Sequence, residues 1–375
     1  MPETSRSRLD AEAARRIEEL ASQLLSRRPT SVGGLVDLVS NDYLGLRRDP
    51  RVIAAATRAL ESRGLGAGAA RLLGGDCPEH VALEESFAKL QGEEAGVLFP
   101  SGTAANQGTL GALLADGDLV ISDEQNHASI VDGIRLSRTR RVITPHGDVG
   151  AVDRALAHDP GPGARWIVVE GIHGMDGDLA PLAALADVCR KHDARMIVDE
   201  AHAVGLVGPD GAGAVAMAGC EDVVAARVNP LGKSFGGAGG VVTASRAVCE
   251  LLVNRARTYV FATAPPPSVA AGVVAALEAA RAEPWRRERA LQIAGEVARR
   301  LDVTHPDGAI VPWLLGTPDA ALTEAAHFRE RGFAAHAVRP PTVPVGTARL
   351  RLSLHADLSD ADATRLFALC GERRR

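Results

Sequence analysis

Lys233 is the residue whose surroundings most resemble a reaction centre. No other lysine follows Lys191 in the 375-residue chain, and this one sits in Leu231–Gly232–Lys233–Ser234–Phe235, just after an apolar strand pattern and before the glycine-rich stretch 236–240. An amine held among apolar side chains loses proton affinity, as a nucleophile or base working near neutral pH requires. A solvated surface lysine is the plain alternative, and the apolar and glycine flanks argue against it. Upstream, Val198–Asp199–Glu200–Ala201–His202 closes an apolar run with a carboxylate and, three residues on, an imidazole, so both can point into one cleft. His127, in Asn126–His127–Ala128–Ser129, follows another strand pattern and could lay its flat ring against a bound heterocycle, although a lone histidine there can equally be structural. Pro100–Ser101–Gly102–Thr103 is a small-residue turn that opens a helix. Such a turn presents free N–H groups and the positive end of the helix dipole to a phosphate. The same turn also reads as an ordinary helix cap by Ser101.

Two nucleotide-binding readings fail on spacing. Gly232–Lys233–Ser234 resembles the close of a phosphate loop, but that loop needs a glycine where this chain has Arg227, and it should precede the acidic strand rather than follow it. Gly64, Gly66 and Ala69 imitate a dinucleotide fingerprint without a preceding strand or a ribose-binding acid.

The elements that must hold these residues follow from periodicity. Short apolar runs at 95–99, 119–122, 141–144, 166–170, 196–199, 223–228 and 240–243 alternate with helical patterns, the signature of crossover units feeding a mostly parallel sheet. Open sheets of this kind bind ligands at the strand ends, where the singled-out residues lie. An amphipathic helix is expected over 7–25, packed against the body. Pro265, Pro266 and Pro267 precede a long helical stretch over 268–301. Strands at 310–314, 335–338 and 348–354, with helices over 319–331 and 360–369, then point to a smaller C-terminal α/β domain. The expected division is an N-terminal helix and arm (1–45), a large domain (46–265) and a small one (266–375).

Composition sets the outer limits. Hydrophobic residues make up 46% and charged residues 24%, the balance of a globular protein. The net charge of −5 gives no global reason to expect nucleic acid. Five widely separated cysteines, Cys77, Cys189, Cys220, Cys249 and Cys370, have no metal-knuckle or redox spacing, so no metal is expected from them and they read as reduced thiols. With no signal-like apolar stretch at the start and no bilayer-length apolar run, the expected location is the cytoplasm and no membrane partner is expected. The basic tail 373–375 reads as a solvated end.

Over nearly the whole chain the residues resemble the α-oxoamine synthase family of fold-type I, pyridoxal-phosphate-dependent enzymes. The resemblance rests on Ser40–Asn41–Asp42–Tyr43–Leu44–Gly45–Leu46, the stretch 126–133, Met175–Asp176–Gly177–Asp178, Asp199 to His202, and Lys233 in its glycine-rich setting. It implies an α/β fold with a mostly parallel seven-stranded sheet, pyridoxal 5'-phosphate (PLP) as cofactor, and a homodimer with shared active sites. Lys233 would be the Schiff-base lysine that also moves the α-proton, and Asp199 would keep the pyridine nitrogen protonated. His202 would hydrogen-bond the phenolic oxygen, and His127 would stack on the ring. Ser101, Gly102 and Thr103 would receive the phosphate, with Thr263 reaching the neighbouring subunit's phosphate. Arg351 would clamp the amino-acid carboxylate with help from Asn41. Arg349 is the alternative, since residues separated by one position on a strand point the same way. The implied reaction joins an amino acid to an acyl-CoA or acyl carrier protein thioester with loss of carbon dioxide. Arg339–Pro340–Pro341–Thr342–Val343–Pro344 and Gly346–Thr347–Ala348–Arg349–Leu350–Arg351–Leu352 lean toward L-alanine and a pimeloyl thioester, as in biotin synthesis. Another α-amino ketone, a non-catalytic relative and an aminotransferase are the other readings.

The chain departs from the family at three positions. Gly174 stands where a serine is common, Pro230 where a phosphate-binding threonine is common, and Thr103 where an aromatic residue is usual. With two hydroxyls missing, the expected phosphate cup is a rebuilt one in which Thr103 or Ser234 compensates.

Overall fold

The computed structural model describes residues 4–159, 161–304 and 306–373. Its first strand, β1 (Val36–Asp37), is short. The strands β2 (Ala95–Phe99), β3 (Leu119–Asp123), β4 (Arg140–Thr144), β5 (Arg165–Glu170), β6 (Ala194–Asp199), β7 (Val224–Pro230) and β8 (Gly240–Ala244) form one seven-stranded sheet in the order β2-β8-β7-β6-β5-β3-β4. Only β8 runs against its neighbours; the pairs β3–β4, β3–β5, β5–β6 and β6–β7 are parallel. Each expected strand is present, with ends shifted by two residues or fewer.

Burial on both faces explains why these strands read as continuous apolar runs. Along β6, Met196 and Val198 enter one core cluster while Ile197 enters the cluster on the opposite face. Along β3, Leu119 and Ile121 face the first and Val120 the second. Each such side chain contributes about 1.5–3 kcal/mol on burial. The edge strand β4 is exposed through Arg140 and Arg141, whose charges suit a strand with an unpaired side.

The helices α1 (Ser5–Ser22), α2 (Pro50–Arg63), α3 (Pro78–Gln91), α4 (Gly102–Leu113) and α5 (Ala128–Ser137) occur in that order. A separate cluster, including Leu38, Val297, Phe328, Leu350 and Leu366, packs around an antiparallel sheet of β9 (Ile310–Gly316), β11 (His336–Val338) and β12 (Ala348–Ser353). The short β10 (Phe333–Ala334) pairs with β1.

Two expectations need correction. The stretch 268–301 is two helices, Pro267–Ala282 and Trp285–Leu301. Pro284 interrupts it, because proline lacks the N–H that a continuing helix needs. The first of these helices packs on α2 and α3 in the large core, and the second places Ala290 in the large core and Ile293 in the smaller one. The other is α1, which buries no residue and leaves Leu9 and Ile17 exposed, so it does not pack on the body of its own chain. The last two residues of the basic tail lie outside the described residues.

Candidate active site

The C-terminal ends of the parallel strands gather most of the singled-out residues. Asp199, the last residue of β6, is buried, with one carboxylate oxygen receiving the Ala201 amide at 2.9 Å and the other the Asn106 side-chain amide at 2.7 Å. Asn106 projects from α4 and also donates to Ser129 Oγ at 3.0 Å, tying α4 and α5 to the carboxylate. Lys233 follows β7 and has its amine pKa lowered by burial, against which the charge of Asp199 acts; the Arg351 cation lowers it further. Among the described residues, the Lys233 amine has no hydrogen bond or ion pair; its carbonyl accepts the Gly236 amide at 2.9 Å.

His202 is buried just past β6. Its Nδ1 lies 2.7 Å from the Tyr43 hydroxyl, whose longer contact, 3.1 Å, is with Asn41 Oδ1. Burial, with the charges of Lys233 and Arg351, holds its pKa well below the usual value, so the ring is neutral. Tyr43 has one proton to give, to Asn41 Oδ1 or to Nδ1; given to Nδ1, it leaves His202 carrying its own on Nε2, the nitrogen that faces Gly174. His127 caps α5, hydrogen-bonds Ser129 Oγ through Nδ1 at 2.7 Å, and leaves its ring exposed.

Arg351 and Arg349 share β12 but differ in partners. The Arg351 guanidinium donates to Gly174 O at 2.6 Å, Ser353 Oγ at 2.7 Å and Asn41 Oδ1 at 3.0 Å, and its charge reaches Lys233 and His202. Arg349 instead pairs with Asp176 and donates to Thr347 O at 3.0 Å. Lys233, Asp199, His202, Arg351 and Asn41 therefore form one cluster, with His127 within electrostatic reach of His202. Arg349 and Thr263 stand outside it. Thr263 is exposed and bridges Ala70 through its backbone.

Ser101 caps α4 by accepting the Ala104 amide at 3.0 Å, so the cap and the phosphate reading coexist at this turn. The Gly102 and Thr103 amides are then the uncapped donors of the helix end. The Pro230 ring abuts this turn, since a Cβ on Gly102 would come within 2.7 Å of Pro230 Cβ. Ser234 cannot compensate for a missing hydroxyl: it is buried and its Oγ donates to Val204 O at 2.8 Å. Thr103 is exposed at the turn.

Several contributors escaped the sequence reading. Glu170, at the end of β5, accepts the His127 amide at 2.7 Å and the Gly174 amide at 3.3 Å. Its pKa is pushed up to about 8, first by burial and then by the charge of Asp199. An acid closing an apolar strand is the signal that marked Asp199, and it was available here too. Asn106 had only its polarity within an apolar helix, and Tyr43 lay within a quoted motif without a role.

These residues fit PLP. A half-buried amine without a partner, a carboxylate fixed by two donors, an imidazole nitrogen and two uncapped amides match the linkage, ring nitrogen, ring oxygen and phosphate of that cofactor. Residues 34–368 match the family model for aminotransferase class I and II. The chain is 48% identical to the 8-amino-7-oxononanoate synthase of Anaeromyxobacter dehalogenans (strain 2CP-1), over 87% of this chain and 83% of that protein. Sphingomonas wittichii serine palmitoyltransferase superposes with TM-score 0.91 at 29% identity, covering 99% of this chain and 98% of that one. Francisella tularensis 8-amino-7-oxononanoate synthase superposes with TM-score 0.76 at 26% identity, covering 90% and 97%. Other matching serine palmitoyltransferase structures contain PLP. Fold and site together define a PLP-dependent transferase of fold type I. More narrowly, the chain belongs to the α-oxoamine synthase family and is a PLP-dependent acyltransferase. Among the described residues, no helix is long and apolar enough to cross a membrane.

Proposed function

We propose that this protein condenses L-alanine with a pimeloyl thioester, carried by CoA or by a carrier protein, releasing carbon dioxide and the free thiol and forming 8-amino-7-oxononanoate for biotin synthesis. The relatives named for that synthase, 42–48% identical, support the choice of reaction. The observation that carries the site assignment is the unpaired amine of Lys233 in the field of Asp199.

Bound PLP supplies the electron sink for negative charge at the substrate α-carbon. Lys233 would hold the cofactor covalently, and its Nζ would take the α-proton of the amino acid and return one after carbon dioxide leaves. Its lowered proton affinity suits both roles. Asp199, oriented by Asn106 and the Ala201 amide, would meet the ring nitrogen. His202 would hydrogen-bond the ring oxygen through Nε2, and His127 would cover the ring face. The Arg351 fork, steadied by Asn41 and Ser353, binds the amino-acid carboxylate. Ser101, Gly102 and Thr103 receive the phosphate.

A homodimer with shared sites belongs to this reading, Thr263 meeting the neighbour's phosphate; its exposure is compatible with that contact. So do a cytoplasmic location, supported by five free cysteines, and a division into an arm, a large domain and a small one.

The test follows thiol release across a matrix of amino acids and acyl thioesters. Preference for alanine with pimeloyl thioester is expected, together with visible cofactor absorbance that is lost in Lys233→Ala. A second reading, another α-amino ketone, draws on the closer superposition with serine palmitoyltransferase, TM-score 0.91 against 0.76. Preference for serine with a long-chain thioester would establish it instead.

A further inference from the structure

Beside the active site lies a second polar cluster that the proposed reaction does not use. Asp123 ends β3, His146 lies two residues past β4, and His173 lies three residues past β5, so the ends of three adjacent strands converge. Donor atoms of these residues lie within 4.8 Å of one another. His146 is held between carboxylates, with Nδ1 3.0 Å from Asp123 Oδ1 and Nε2 2.9 Å from Asp178 Oδ2. The His146 and His173 rings meet edge to face, 4.2 Å between centroids.

His173 is the anomaly. It is 1% exposed, yet neither ring nitrogen has a hydrogen-bond partner, and Asp178 Oδ1, 3.8 Å from His173 Nδ1, is likewise buried without one. Leaving such groups unpaired costs about 1–3 kcal/mol each. A metal ion would take up the stranded lone pair of His173. The surrounding backbone already fixes the ligands: Gln125 and Gly147 amides hold Asp123 at 2.8 and 3.0 Å, and the His173 amide donates to Asp178 O at 3.0 Å.

We infer that Asp123, His146 and His173 form a binding site for a divalent transition metal, with zinc as the best match. Two imidazoles and a carboxylate, with water in the fourth position, are a tetrahedral nitrogen–oxygen set of the kind zinc accepts, whereas magnesium and calcium prefer oxygen alone. Asp178, on the other ring nitrogen of His146, holds that imidazole from outside. Ligand atoms around tetrahedral zinc stand about 3.3 Å apart. The three ligand atoms, now within 4.8 Å of one another, must therefore draw together. Binding replaces the proton that His146 shares with a carboxylate and releases it to water. The bound ion would clamp the 173–178 turn, from which Gly174 O holds Arg351.

The test uses full-length protein, stripped with chelator, reloaded with PLP and titrated with zinc chloride. Metal content after gel filtration and the thermal midpoint are measured for the wild type, His173→Phe and Asp178→Asn. About one zinc per chain is expected in the wild type, with a raised midpoint. His173→Phe should lose that zinc, and Asp178→Asn should bind it about tenfold more weakly or worse. Should His173→Phe fail to fold, Asp178→Asn at a partly exposed position carries the comparison. Failure of the wild type to bind micromolar zinc, or binding by the folded variants as tight as the wild type's, overturns the assignment without bearing on the reaction.

Discussion

The hydroxyl of Tyr43 and Nδ1 of His202 stand 2.7 Å apart in the protein interior, although 159 residues separate them in the chain. Among the described residues Tyr43 is the hydrogen-bond partner of this nitrogen, whichever of the two carries the proton. Tyr43→Phe removes that partner and leaves a buried nitrogen without one, so stability should fall by about 1–3 kcal/mol. The value of kcat/KM should fall about tenfold, with a shifted cofactor absorbance band. A variant with unchanged spectrum and rate would show that Tyr43 does not position His202.

Gly174 is forced by its neighbour. A Cβ there would come within 2.8 Å of His202 Nε2, so the serine common in the family cannot be accepted unless the ring shifts. Gly174→Ser should lower stability by about 1–3 kcal/mol through overpacking. It should also weaken PLP retention, read by equilibrium dialysis. Wild-type melting and retention in this variant would contradict the steric account.

Glu170 makes the cofactor-free protein sensitive to alkali. Burial raises its pKa from the usual 4.5 to about 8, so the folded state binds this proton more tightly than the unfolded state does. The resulting stability is whole below the unfolded value and is lost as pH rises through 8. Urea midpoints should therefore decline between about pH 5 and 8 more steeply for the wild type than for Glu170→Gln. Parallel curves would show that Glu170 ionises normally.

The two arginines of β12 should separate kinetically. Arg351→Lys loses the planar fork, and KM for the amino acid should rise about 10–100-fold. Arg349→Lys weakens the pair with Asp176 and should lower thermal stability while changing that KM less than about threefold. Steady-state titration of the amino acid at saturating thioester distinguishes them, and equal KM effects would mean that both arginines face the substrate.

The difference between those arginines marks how far sequence reasoning reaches. Alternation along a strand puts positions 349 and 351 on one side, and nothing local says which guanidinium meets Asp176 and which meets Asn41. Likewise, Asn106 is one more polar residue in α4 until folding brings it to Asp199, 93 residues away. Ser234 looked free because its acceptor, Val204 O, belongs to a distant loop.

From the sequence alone came the parallel sheet, the strand ends where ligands bind, and Lys233, Asp199, His202 and the α4 turn as chemistry-bearing residues. Those features are local: apolar periodicity, small-residue turns and acids closing strands leave their mark within about ten residues. Tertiary structure alone decided the pairing of Tyr43 with His202, the elevated pKa of Glu170, the partners of Arg349 and Arg351, and the convergence of His146 with His173. Each depends on desolvation or contact between segments far apart in the chain, and such terms exist only once the core has closed.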